Sequence, residues 1–347
     1  MEVPQHWVRV EGWSPHLGSS GGPLAVWGWS TESDEEAAEV GRRRLAETLD
    51  RVALEGRLPA TRGYYPRTPL REPVLEEVLS DDGRRLGVVT RNRMGCEVLC
   101  TDLLLIADVD VDGLDEGAAS SRGRGGRGGR GAGAGVAGFL RRLVLGRPDP
   151  PPQQTGAQDA AGLDSPSAGR PGGAHGMFSA GSASPVGSTG GSGPTVAEAL
   201  ACEPVWEFAR ANPDLGVRVY RTAAGLRVLV SGAAAGPLSD RARAILVALD
   251  SDPLYVELCA THDSYRARLT PKPHRLGEPA LGVSWPCADE AAERAWLRWV
   301  DAYDEAVESW ATCRLISASG AVPGVDEQRL IDLHDERTRV RERLPLA

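Results

Sequence analysis

The sequence predicts an α+β protein: mainly antiparallel sheets with helices packed on one face, interrupted by a long disordered insertion. Three observations predict this. Short runs of alternating or continuous apolar residues lie between Asp-Gly and Gly-rich turns, as in antiparallel strands. Between them lie stretches with apolar residues three or four apart, opened by Ser, Thr or Asp, as in amphipathic helices. Residues 114–194 then change abruptly to Gly, Arg, Pro, Ser and Ala. Such a composition buries too little apolar area to offset the entropy of ordering it.

Residues 1–22 read as irregular. Pro23 to Ser30 reads as a strand with Trp27 and Trp29 on one face, packed against a helix or stacked on bases. Ser33 caps the next helix, with Glu36 completing a capping box and Ala37, Val40, Leu45, Leu49 and Val52 forming its stripe. Arg42 to Arg44 read as a solvated face. Asp81-Asp82-Gly83 joins Leu75–Leu79 to Leu86–Val89 as a hairpin. Strands from Cys96 to Cys100 and from Leu103 to Asp110 follow. Within the insertion lie an Arg-Gly tract (Ser121–Gly131), a brief apolar piece (Val136–Leu145) and His175, which carries no signal. Thr195 caps a helix over 195–211 with Val196, Leu200, Trp206 and Phe208 as apolar points. Val217–Tyr220 and Leu226–Val230 form a second hairpin around Thr222-Ala223-Ala224-Gly225. A helix over Ser239–Leu249, a turn and helical or extended segment after Asp252, and a strand over Tyr265–Thr270 come next. Residues 288–312 form a long helix striped with Trp296, Trp299, Tyr303, Val307 and Trp310. Gln328–Leu344 forms a charged amphipathic helix. The chain thus divides into an N-terminal α+β half (1–113), the insertion (114–194) and a C-terminal α+β half with a helical tail (195–347).

The 347 residues carry a net charge of -9, which gives no global basic character for nucleic acid but leaves room for a local basic groove. The six cysteines show neither CxxC pairs nor Cys-His metal spacing, and read as reduced, packed thiols of a cytoplasmic protein. No signal peptide and no apolar run of membrane-spanning length is present, so no membrane partner is expected. Phosphate-loop, HExxH and kinase signatures are missing, and no GxGxxG follows a strand; the Gly tract at 123–135 is low-complexity. Cys259 near His262 is a bare nucleophile pair with nothing visible to activate it.

The chemistry-bearing stretch is Leu103-Leu104-Leu105-Ile106-Ala107-Asp108-Val109-Asp110-Val111-Asp112-Gly113. Residues two apart on a strand share a face, so Asp108 and Asp110 point the same way, with Asp112 able to extend the row. Like charges that close repel unless a cation or a proton intervenes, and Mg²⁺ takes such oxygen ligands. The other reading is a strand ending in a polar turn. Later residues add Arg218, Arg221 and Arg227 on a hairpin, then Arg268 and Lys272, flanked by His262 and His274, which read as structural.

The order acid-x-acid strand, helix, Arg-rich hairpin, Arg-Leu-x-x-Lys resembles the archaeo-eukaryotic primase superfamily of primase-polymerases and their inactive relatives. The resemblance covers about 23–112 and 195–275 and implies an RRM-like primase core. It implies that Asp108, Asp110 and Glu257 bind Mg²⁺ or Mn²⁺ and carry catalysis. It also implies that Thr222, Arg227, Arg268 and Lys272 hold phosphates of a nucleoside triphosphate. The family histidine of the hairpin is Arg227 here, which can hold phosphate bidentately but does not transfer protons near neutral pH. Two functions follow as expectations: nucleotidyl transfer on nucleic acid, or a catalytically inactive binding or scaffold module whose Arg-Gly insertion recruits partners.

Overall fold

The computed structural model describes residues 1–17, 20–56, 69–111 and 196–347. The insertion, its Arg-Gly tract, its apolar piece and His175, together with Asp112 and the Thr195 cap, lie outside the described residues.

Among the described residues ten strands form three sheets. The first pairs β1 (His6–Ser14) with β2 (Gly22–Ser30). The second has the order β3 (Val74–Leu79), β4 (Arg85–Arg91), β5 (Glu97–Thr101), β9 (Tyr265–Arg268). The third has the order β10 (Cys313–Gly320), β7 (Gly216–Thr222), β8 (Gly225–Ser231), β6 (Leu105–Asp110). Every pairing between these strands is antiparallel. Each four-stranded sheet takes strands from both sides of the insertion, so the two halves of the sequence share one core. That core joins Val78, Leu86 and Leu99 to Leu104–Ala107, Val228 and Leu229. Among the described residues no helix is long and apolar enough to cross a membrane.

The N-terminal stretch 6–14 is a strand, contrary to the irregular reading. Its alternation of Val8, Val10 and Gly12 was obscured by intervening Arg9 and Glu11. Helix α1 (Asp34–Glu55) packs on this hairpin through glycines. A Cβ on Gly28 would lie 1.8 Å from the Ala37 carbonyl and 2.3 Å from the Gly41 nitrogen, so helix and strand touch backbone to backbone. Trp27 and Trp29 therefore occupy the opposite face, and α1 reaches them through Arg44, over the Trp29 ring at 4.3 Å. Ser33 caps α1 by accepting from the Glu36 N–H at 3.2 Å. The Glu36 carboxylate completes no box; it accepts from the Ser30 hydroxyl at 2.7 Å.

The other helices are α2 (Val196–Ala211), α3 (Asp240–Ala248), α4 (Pro253–His262), α5 (Pro273–Leu276), α6 (Glu290–Val307) and α7 (Val325–Arg337). In α2 the buried face is Glu198, Cys202 and Val205, while Val196 and Leu200 are 79% and 71% exposed. The helix is rotated from the apolar-point reading because Glu198 pairs with Arg221 of β7 at 2.9 Å. In α6 only Tyr303 of the expected stripe is buried; Trp299 stacks on it at 4.8 Å. Arg91, buried, clamps Asp304 of α6 through two bonds of 3.0 and 2.9 Å. Helix α7 is tied to the β3–β4 hairpin by Arg84–Asp326, Arg329–Asp81 and Arg337–Glu76.

Gly28→Ala should destabilise the fold by about 1–3 kcal/mol or more, because backbone must move to admit the methyl group. Gly236→Ala, with no neighbour within 4 Å, should be near neutral. Urea unfolding of both variants checks this; equal midpoints would contradict the backbone contact between α1 and β2.

Candidate functional site

The acidic strand β6 sits at the edge of its sheet, beside β8, in a register that puts Asp108 opposite Arg227 and Asp110 opposite Gly225. The next register step puts Arg227 opposite Tyr220 of β7. Asp108, Arg227 and Tyr220 thus form one row across the sheet, and side chains in a row share a face. The adjoining row, Val109, Leu226 and Arg221, points to the other face, where Glu198 of α2 binds Arg221.

Arg227 is 1% exposed. A buried guanidinium needs acceptors for its fan of donors and a counter-charge. Its Nε reaches Asp108 Oδ1 at 3.4 Å, and Nη1 donates to the Arg268 carbonyl at 2.7 Å. The same nitrogen lies 3.4 Å from His334 Nε2 and 3.6 Å from Cys313 Sγ. His334 is fully buried on α7; its Nδ1 is 3.0 Å from Asp335 Oδ1. Burial lowers the His334 pKa, and Arg227 and Arg218 lower it further against the pull of Asp335. Burial alone would raise Asp335, but the hydrogen bonds from His334 and Tyr220 and the charge of Arg218 hold it below its usual range. An ionised Asp335 accepts a hydrogen bond from Nδ1–H of a neutral imidazole, which leaves Nε2 to accept from Arg227. Arg218 closes the network with 3.1 Å to Asp335 and 2.9 Å to the Tyr220 hydroxyl.

Beside this network lies a group of residues of mixed charge. Asp108 keeps 36% of its side chain exposed. Asp110 keeps an exposed edge, yet surrounding protein raises its carboxyl pKa, the charges of Asp252 and Asp108 raise it further, and Lys272 and Arg268 oppose them. Asp252 is held there by its backbone N–H on the Asp108 carbonyl at 2.8 Å and by capping α4, where it accepts from Leu254 N–H at 3.1 Å. Ser251 Oγ donates to the same Asp108 carbonyl at 3.1 Å. The segment carrying Arg268 and Lys272 is pinned from behind. Leu269 N–H bonds the Glu97 carbonyl at 2.8 Å, and Glu97 N–H bonds Thr270 Oγ1 at 2.8 Å. The Tyr303 hydroxyl reaches Thr270 Oγ1 at 2.8 Å.

The expected site residues thus fall into three groups. Asp108, Asp110, Arg268 and Lys272 come together. Thr222 closes β7 on the face shared with Tyr220 and Arg218, near the turn that faces Asp110. Glu257 stands apart: it is exposed on α4, about 200° around the helix from the buried Tyr255 and Cys259. The third carboxylate acting on Asp110 is Asp252, five residues earlier. Sequence reading marks Asp252 only as the turn before a helix, since Asp-Pro is an ordinary helix opening. His334 and Asp335 gave no signal, because their arginine partners, Arg227 and Arg218, are more than a hundred residues away. Arg227 is a buried structural cation, not a surface phosphate ligand.

Two other candidates resolve as structure. Cys259 is fully buried, and burial pushes its thiol up to about 12, which disarms it as a nucleophile. His262 is held down to about 4 by burial and by Arg266, which itself grips Glu72 at 2.8 and 2.9 Å. All six thiols are free and five are buried. Among the described residues no three His, Cys, Asp or Glu side chains gather as a metal-holding group. Comparison of the chain with protein-family models, with curated proteins and with solved structures gave no match.

Two predictions follow from the charges. Asp108→Ala should cost about 3 kcal/mol in urea unfolding, since removing one partner strands the buried Arg227 cation; a loss under about 1 kcal/mol would mean the remaining acceptors suffice. Asp110 has its folded pKa above its unfolded one, so its ionised form opposes folding at neutral pH. Asp110→Asn should therefore raise the melting temperature near pH 7, and this gain should vanish below the ordinary Asp range of about 3.9. A gain that persists unchanged in acid would assign it to something other than this charge.

Proposed function

We propose that the group of Asp108, Asp110, Asp252, Arg268 and Lys272 binds a nucleoside triphosphate with Mg²⁺ or Mn²⁺, in the manner of primase-polymerase-like proteins acting on nucleic acid. One observation carries this reading: Asp110 lies near Asp108 and Asp252, whose charges raise its carboxyl, and near Lys272 and Arg268, whose charges oppose them. The donor chemistry fits a hard divalent ion, which favours carboxylate oxygens. Asp108 and Asp110 would hold it together with phosphate oxygens, as Mg²⁺ is bound through one or two carboxylates plus substrate phosphates, and Asp252 would add negative charge beside them. When bound, such an ion neutralises and bridges phosphate oxygens. Arg268 and Lys272 would bind the remaining phosphate charge, Arg by a planar fork and Lys as a point charge. Thr222, at the hairpin end, would add a hydroxyl donor.

A second reading has its own support. Arg227 stands where the family carries histidine, and its guanidinium is committed to Asp108, Arg268 and His334. No imidazole on that hairpin is left to meet a phosphate or move a proton. This favours a relative that binds nucleotide without transferring it.

Titration calorimetry with Mg²⁺ and a nucleoside triphosphate should show binding that weakens at least about tenfold in Asp110→Asn and in Lys272→Ala, a loss of one charge-assisted contact each. Absence of binding in the wild type, or indifference to both substitutions, would sink the nucleotide-site reading. Primer-extension and primer-synthesis assays with Mg²⁺ and Mn²⁺ then separate the two readings: incorporation supports the transferase, and binding without incorporation supports the inactive relative.

A further inference from the structure

We propose that the outer face of the β1–β2 hairpin is a binding platform for single-stranded nucleic acid, a site independent of the nucleotide site. Strand alternation builds the platform. The even positions, Val10, Gly12 and Gly28, meet α1, as the contacts of Gly12 with Leu45 and of Gly28 with Ala37 and Gly41 require. The odd positions must then face outward. In register these are Trp7 opposite Trp29, Arg9 opposite Trp27, Glu11 opposite Ala25 and Trp13 opposite Pro23. Trp7 and Trp29 have ring centroids 6.0 Å apart, and Trp285 sets its edge against Trp7 at 6.2 Å. Trp27 and Trp29 lie two strand positions apart, roughly 6.7 Å. Trp13, at the far end of the hairpin, is 58% exposed.

Cations complete the pattern. The Arg71 guanidinium lies over the Trp27 ring at 5.4 Å and the Arg44 guanidinium over Trp29 at 4.3 Å. Arg44 is anchored by the Trp27 carbonyl, and Arg9 by Glu11. Arg71 is exposed, and among the described residues no carboxylate pairs with it. An exposed cation left on an indole, beside further indoles, is half of a recognition surface. Bases stack on indoles and on guanidinium planes, and phosphates take guanidinium forks. A proline-rich peptide would use the indoles but would gain nothing from the arginines. The cations therefore favour nucleic acid, and unpaired strands in particular, since only those offer base faces.

The test uses the full chain and an oligothymidylate of about 15 nucleotides, read by quenching of indole fluorescence. Binding should be quenching and salt-dependent, and weaker for a duplex of the same sequence length. Arg71→Gln, a change at an exposed side chain, should weaken it several-fold, and Trp27→Leu about tenfold. Arg71→Gln should leave affinity at the nucleotide site unaltered, so either site can fail without the other. No quenching in the wild type, equal affinity in Arg71→Gln, or tighter binding of an oligoproline peptide would each overturn the proposal.

Discussion

A guanidinium at 1% exposure is the constraint on which the site depends. Arg227 has lost its water, so each donor must be met by protein and its charge by a carboxylate. Those partners come from β6, β9, β10 and α7, elements that lie far apart in the chain. Asp108 belongs to the stretch before the insertion and the others to the stretch after it. Satisfying one side chain thus draws both halves of the sequence into one core and fixes which way Asp108 faces.

The same constraint shapes the chemistry. Asp108 is held from behind by Arg227, so its free oxygen and exposed edge are presented in a defined direction. Asp110, one pleat further, has no such partner; opposite it stands Gly225, whose missing side chain leaves the carboxylate to Asp252, Lys272 and Arg268. One carboxylate is thereby spent on structure and one is left under repulsion. The buried arginine withdraws one of the groups that the primase resemblance would use.

The N-terminal hairpin follows a different logic. Glycines on one face let α1 approach to backbone contact, and the bulk displaced from that face appears as indoles on the other. Small and large residues alternate because the two faces have opposite tasks.

Much of the fold was legible in the sequence. The hairpins at Asp81-Asp82-Gly83 and Thr222–Gly225, the Ser33 and Ser239 caps and the Leu103–Asp110 strand all rest on local signals within a few residues. β1 was obscured because charged Arg9 and Glu11 sit between its inward positions, and the face of α2 because Glu198, a polar residue, is its buried one. The strand pattern marks Asp108 and Asp110, the primase resemblance adds Arg268 and Lys272, and tertiary structure brings the four near one another. The nearness of Asp252 to Asp110, the exposure of Glu257 away from them, the burial of Arg227 and the part played by His334 and Asp335 were decided only by packing. A sequence determines which side chains can carry charge and how neighbours along a strand or helix are spaced; which distant charge meets which, and whether water remains between them, depends on the convergence of whole elements.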